Sequence, residues 1–170
     1  MDLIKASQKL QQAVQFSIQN QKLYVPSQAI APPEPGKSPC KTIVSSKRSF
    51  ESASAYAKAG KRVCVLNFAS ATNPGGGVTR GSTAQEECLC RCSTLYPCLN
   101  TETMWHQFYQ PHRKVGNPLY NDDLLYTPEV VVFKTDTSAP ERMEEKDWYQ
   151  VDIITCAAPN LRKKPSNAMN

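Results

Sequence analysis

Apolar residues recur at helical spacing at the start of the chain. Leu3, Ile4, Leu10, Ala13, Val14 and Ile18 are separated by Gln and Lys, which predicts an amphipathic helix over residues 2–23. Pro26 and the Ala31-Pro32-Pro33-Glu34-Pro35-Gly36 run end that pattern and predict an exposed linker. Residues 42–45 read as a short strand. Residues 49–59 read as a second helix, with Ser49 as its cap and Gly60 as its stop. The run Arg62-Val63-Cys64-Val65-Leu66-Asn67-Phe68 is apolar without alternation, the pattern of a parallel strand covered on both faces. A glycine-rich loop follows, then a helix over residues 83–95 that ends before Pro97. Residues 124–126 and 130–134 read as two strands separated by Thr127-Pro128-Glu129, and residues 150–157 as another. Strands alternating with helices predict an α/β sheet. Ligands of such sheets bind beyond the carboxyl ends of the strands, where the glycine loop lies.

The chemistry concentrates around that loop. Asn73-Pro74-Gly75-Gly76-Gly77 is followed, after seven residues, by Gln85-Glu86-Glu87. Glycines let a backbone approach a ligand closely and turn successive N–H groups into a concavity that suits an anion. Carboxylates beside a phosphate cradle would repel the phosphate. They make sense facing a sugar whose glycosidic bond is to be cut. On a helix Glu86 and Glu87 diverge by about 100° and cannot share one proton, so they must do different work. A P-loop would need Gly-Lys-Ser or Gly-Lys-Thr, and the chain reads Gly77-Val78-Thr79-Arg80. Asn73, at the loop entrance, could bond ribose hydroxyls, although Asn-Pro is also a common turn pair. Asn67 is read as a strand-end residue. Cys88 and Cys92 stand at i, i+4, but no second ligand pair follows, and His106 and His112 do not complete a zinc pattern. Packing is the better reading of the cysteines, and the sequence calls for neither metal nor cofactor.

Composition narrows the setting. At 170 residues the chain is long enough to bury a core, and 13 prolines imply many loops. No apolar run reaches the roughly 20 residues of a membrane span, and from the polar, amphipathic opening Met1-Asp2-Leu3-Ile4-Lys5 no secretory leader is expected. Seven cysteines, an odd number, fit reduced thiols and a cytoplasmic location rather than a disulfide scaffold. The net charge of +5, partly at Lys47-Arg48, Lys61-Arg62 and Arg162-Lys163-Lys164, would welcome a polyanion. It is not interleaved with aromatics, so no direct nucleic-acid binding is expected.

The paired motifs, and the longer string LNFASATNPGGGVTRGSTAQEECLCRCSTLYPCL, resemble the signature of poly(ADP-ribose) glycohydrolases of the microbial type. The resemblance covers residues 42–160 and is densest over 66–99. It implies a macrodomain-like three-layer α/β/α sandwich spanning 41–170, with an added N-terminal helix and linker over 1–40. It implies that Glu87 is the general acid and base, that Glu86 bonds ribose hydroxyls and that Gln85 helps to hold the loop. Gly75, Gly76 and Gly77 would lie against the diphosphate and distal ribose, with Val78 packing beside them. The implied ligand is ADP-ribose or poly(ADP-ribose) on modified proteins. Enzymes of this family carry a second glycine-rich loop downstream, yet no glycine follows Gly116. The fold is therefore expected to be incomplete at its C-terminus and to need a further C-terminal fragment. A macrodomain-type reader that binds ADP-ribose without cutting it is the alternative, and a hydrolase of a nucleotide-derived metabolite is a third. Glu87 discriminates, because a reader gains nothing from a desolvated carboxylate at the scissile bond.

Overall fold

A computed structural model describes residues 2–28, 36, 39–117 and 119–159. The proline-rich run at 31–35 and the polar stretch 160–170 lie outside the described residues. The first predicted helix is two, α1 (Asp2–Ala6) and α2 (Gln8–Gln19). Ser7 adopts extended backbone between them, and its Oγ accepts the Leu10 N–H at 3.4 Å as an N-cap. Asn20 closes α2 by donating from Nδ2 to the Phe16 carbonyl. Leu23 consequently falls in strand β1 (Lys22–Tyr24) and not in the helix.

Residues 42–45 form no strand; Ile43 and Val44 are exposed. Helix α3 (Ser49–Lys58) stops where expected, at Gly60 with φ +72°. Its start is capped from elsewhere, not by Ser49. Glu51 accepts the Arg48 N–H, and the distant Asp136 accepts the Phe50 N–H at 3.1 Å. Strand β2 (Cys64–Ala69) leads into the glycine loop, followed by α4 (Gln85–Cys92) and α5 (Leu95–Leu99). Pro97 sits in the first turn of α5, where its missing N–H would have had no helical partner. The short α6 (Glu102–Met104), a π-helical turn at Trp105–Tyr109 and α7 (Gln110–Val115) come next.

The two predicted strands around Thr127-Pro128-Glu129 are one, β3 (Leu124–Val132), with a bulge between Thr127 and Val130. Glu129 takes φ +52° there, and Asp152 accepts its displaced N–H at 3.1 Å. Strand β4 (Tyr149–Ala157) completes a four-stranded sheet of order β1-β3-β4-β2. Strand β2 runs parallel to β4; β3 is antiparallel to both β1 and β4.

The main core lies on one face of this sheet. Val65, Leu125, Val130, Val132, Val151 and Ile153 are buried against Phe50 and Ala53 of α3, Leu89 of α4 and Leu95 and Leu99 of α5. A second cluster, Leu10, Val131 and Phe133, packs the N-terminal helices onto the end of β3, where Ser17 also donates to the Pro128 carbonyl. Strand β2 corrects the expectation of cover on both faces. It is a sheet edge with alternating burial: Val65, Asn67 and Ala69 point inward, while Leu66 and Phe68 are 44% and 59% exposed. By register, Leu66 and Phe68 share their face with Ile154 and Cys156 of β4. A continuous apolar run does not say which of its faces is covered within the described residues.

Candidate active site

Strand β2 aims the chain at the glycine loop, and α4 returns beside it. Ser70, just after the strand, accepts the N–H groups of Thr72 and Asn73 on its Oγ and starts the turn. The Asn73 carbonyl accepts the Gly76 N–H at 2.9 Å, and the Gly75 carbonyl accepts the Val78 N–H at 3.1 Å. Gly75 and Gly76 occupy the left-handed region, φ +64° and +59°. A Cβ at Gly76 would stand 2.5 Å from Glu87 Oε1 and 3.0 Å from Glu86 Oε2; one at Gly75 would strike the Tyr96 ring and Val78. Close approach by the carboxylates, as much as any ligand, is what requires glycine here.

Both carboxylates of α4 are buried, Glu86 at 3% and Glu87 at 7% exposure. They do different things, as their divergence on the helix dictates. Glu86 Oε2 accepts the Ser70 N–H at 2.8 Å, and its Oε1 accepts from Asn67 Nδ2 at 3.4 Å. Asn67 is fully buried and also donates to Thr155 Oγ1 at 3.2 Å, which links β2 to β4 beneath the loop. Glu87 Oε1 accepts the Gly77 N–H at 2.8 Å, and its Oε2 is buried without a partner. Glu87 lines an open cleft of about 410 Å³ with Ser70, Asn73, Gly76, Gly77, Arg80 and Tyr120. Two of the three glycine amides are thus engaged within the protein, one of them by Glu87 itself.

Gln85 works on the strand, not on the glycine turn. Its Oε1 accepts the Phe68 N–H at 2.9 Å and its Nε2 donates to the Leu66 carbonyl at 2.7 Å. The side-chain amide thereby satisfies the outer edge of β2 as a neighbouring strand would. Asn73 reaches the cleft with its side chain engaged: Nδ2 donates to Thr72 Oγ1, and Oδ1 accepts from Arg113 at 2.5 Å. Val78 packs beside Gly75, as expected. Cys90, Cys92 and Cys98 are buried, and all seven cysteines are unpaired.

Arg113 and Tyr120 were not legible in the sequence. Tyr120 enters the cleft from a backbone of φ +57°, its ring edge-on to the buried His112 at 5.9 Å. His112 is held by the Phe108 carbonyl at 2.6 Å and by Asn121 Oδ1 at 2.7 Å. Ser70 left a readable trace, since Ser-x-Thr-Asn is turn chemistry. Arg113 left none, because its partners lie some 40 positions away.

Burial raises the Glu86 carboxyl to about 7, against the lowering effect of the Ser70 and Asn67 donors. The folded protein holds this proton at pH values where the unfolded chain has already released it. Stability therefore falls as pH rises from about 4.5 to 7, and the cost is complete above 7. Glu86→Gln cannot ionise, and Asn67 can turn its unpartnered Oδ1 toward the new amide. The variant should gain up to ~3 kcal/mol over wild type at pH 8 and nothing at pH 4. Urea unfolding at both pH values tests this; an equal shift at each would mean that the charge is not the cause.

The family model described as microbial-type PARG, catalytic domain, matches residues 4–135. The fold resembles the poly(ADP-ribose) glycohydrolase of Thermomonospora curvata, with 34% identity, a TM-score of 0.74 and 87% of this chain covered. The same enzyme bound to the inhibitor ADP-HPD matches at 34% identity and TM-score 0.70. The poly(ADP-ribose) glycohydrolase of Deinococcus radiodurans in complex with ADP-ribose matches at 30% identity and TM-score 0.72 over 86% of this chain. The chain spans 54% of the first Thermomonospora structure, 52% of the inhibitor complex and 58% of the Deinococcus structure, roughly half of each. No curated protein sequence matches it. These matches identify the sheet and its glycine loop as part of a macrodomain-like α/β fold. The family model covers most of the chain, and Glu87 and the glycine loop that carried the resemblance line one cleft: the chain belongs to the microbial-type poly(ADP-ribose) glycohydrolase catalytic-domain family.

Proposed function

We propose that this chain carries the loop-and-carboxylate half of a glycosidase that cleaves the ribose–ribose O-glycosidic bond of poly(ADP-ribose) and releases ADP-ribose. The observation that carries this reading is Glu87, which lines the cleft: one oxygen is fixed by the Gly77 N–H, and the other is buried without a hydrogen-bond partner. A group that must give up a proton and take one back needs such an oxygen. Glu87 protonates the departing ribose oxygen as an oxocarbenium ion develops, then accepts a proton from the attacking water. Glu86, below it, holds the strand–loop junction. Its oxygens retain lone pairs for a ribose hydroxyl. Asn73, Gly75, Gly76, Gly77 and Val78 shape the wall for the distal ribose and diphosphate, and Arg80 supplies positive charge at the rim. A passive reader would carry the desolvation cost of Glu87 with no return, which favours hydrolysis over binding alone. Seven cysteines without a disulfide among them support a cytoplasmic setting; no helix of the described residues is long and apolar enough to cross a membrane. The test is incubation of the chain, together with the rest of its domain, with poly(ADP-ribose)-modified protein: released ADP-ribose supports the reading, and retention of intact polymer on the protein counts against hydrolysis.

The proposal includes a further C-terminal segment, supplied in the same or another chain, as a structural partner. Leu66 and Phe68 present apolar surface on an edge strand, a hazard for pairing and aggregation unless covered. Residues 1–170 alone should therefore bind an apolar dye and self-associate. Adding the remaining portion of the domain should suppress both, and the double change Leu66→Ser and Phe68→Ser should lower dye binding without that portion. Unchanged dye fluorescence in the double variant would show that this face is not the sticky one.

A further inference from the structure

The glycine loop is tied down at three places, and only two belong to the glutamate helix. Its beginning is held by Glu86 on the Ser70 N–H, and its end by Glu87 on the Gly77 N–H. Its middle is held by Arg113 of α7. There Nε donates to the Thr72 carbonyl at 2.7 Å, and a terminal nitrogen donates to Asn73 Oδ1 at 2.5 Å. The Arg113 guanidinium lies 4.7 Å over the Trp105 ring, which orients the plane of the fork. Asn73 is also the residue whose carbonyl accepts the Gly76 N–H. A displacement at Asn73 therefore passes directly into the turn that places Gly76 against both carboxylates.

We propose that Arg113 is a positioning residue of the cleft: stacked on Trp105, its two-pronged contact with Thr72 and Asn73 sets the height of the glycine loop over Glu87. Two parallel N–H donors in a fixed plane do this, and a lysine ammonium cannot, since it lacks the planar fork and the stacking face. The loop-holding part of this inference stands on geometry alone; its consequence for ligand rests on the glycohydrolase reading.

The experiment compares wild type, Arg113→Lys and Arg113→Gln, each in the chain together with the rest of its domain, by backbone amide hydrogen exchange and by calorimetric titration with ADP-ribose. Both variants should speed exchange selectively at residues 72–78, and both should weaken ADP-ribose binding by about tenfold. Failure of lysine to rescue is the signature of positioning. If Arg113→Lys binds like wild type while Arg113→Gln does not, Arg113 acts by charge on the diphosphate, and the proposal is overturned. Unchanged exchange over the loop in both variants overturns it as well. A wild type that binds no ADP-ribose would sink the functional reading, and the exchange measurement would still decide the clamp.

Discussion

Glu87→Gln should lose about 10²–10⁴-fold in hydrolysis of poly(ADP-ribose), the usual cost of removing a positioned general acid. The structure makes this a clean substitution. The oxygen that accepts the Gly77 N–H at 2.8 Å survives in the amide, so the loop keeps its anchor. What changes is the second oxygen, buried without a partner, which becomes an NH₂ that cannot hand over a proton at neutral pH. ADP-ribose affinity should stay close to wild type, because the amide keeps the shape of the carboxyl group and its bond to the Gly77 N–H. The measurement pairs single-turnover hydrolysis with calorimetric binding, in the chain together with the rest of its domain. Hydrolysis at the wild-type rate would remove Glu87 from the chemistry. Loss of binding in parallel with rate would make it a structural residue instead. Glu86→Gln should reduce both quantities, but less steeply, since Glu86 acts through the loop and a ribose hydroxyl.

Gly76→Ala should be nearly as damaging by a different route. Alanine at φ +59° costs roughly 1–2 kcal/mol of backbone strain. The larger effect is steric: the new methyl would sit 2.5 Å from Glu87 Oε1 and 3.0 Å from Glu86 Oε2, so the loop or both carboxylates must shift. A misplacement of about 1 Å in a catalytic constellation costs on the order of 10²-fold. Gly60→Ala is the matched control. Gly60 has φ +72° with open space where the methyl would go, at the far end of α3. It should show the strain in thermal stability and leave ADP-ribose binding alone. Equal losses of binding in the two variants would mean that backbone strain, and not crowding of the carboxylates, explains Gly76.

The spacing from Gly75-Gly76-Gly77 to Gln85-Glu86-Glu87 was by itself enough to predict that the glutamates meet the loop, and they do. Seven residues are just enough to turn a strand into a short 3₁₀ segment (Val78–Arg80) and then a helix beside it. The α/β character was likewise written in local apolar runs, whereas the place of β2 at the sheet edge beside β4 was not. Breaks and caps were less legible. Ser7 divides the first helix although its apolar spacing continues, because one hydroxyl satisfies an amide that the helix would otherwise have claimed. Thr127-Pro128-Glu129 reads as a strand break, yet β3 runs through it, because Asp152 accepts the amide displaced at Glu129. The Asp136 cap of α3 and the clamp of Arg113 come from partners 86 and about 40 positions away, and no local pattern encodes such meetings. Chain order determined which chemistry this protein carries: a glycine turn, two diverging carboxylates and the strand that aims them. Only the tertiary structure decided how each is used. Burial left Glu87 one free oxygen, raised Glu86 by desolvation, and put the side chain of Gln85 on an open strand edge. Those outcomes depend on what each group faces once water is excluded, and a sequence records neighbours along the chain, not across it.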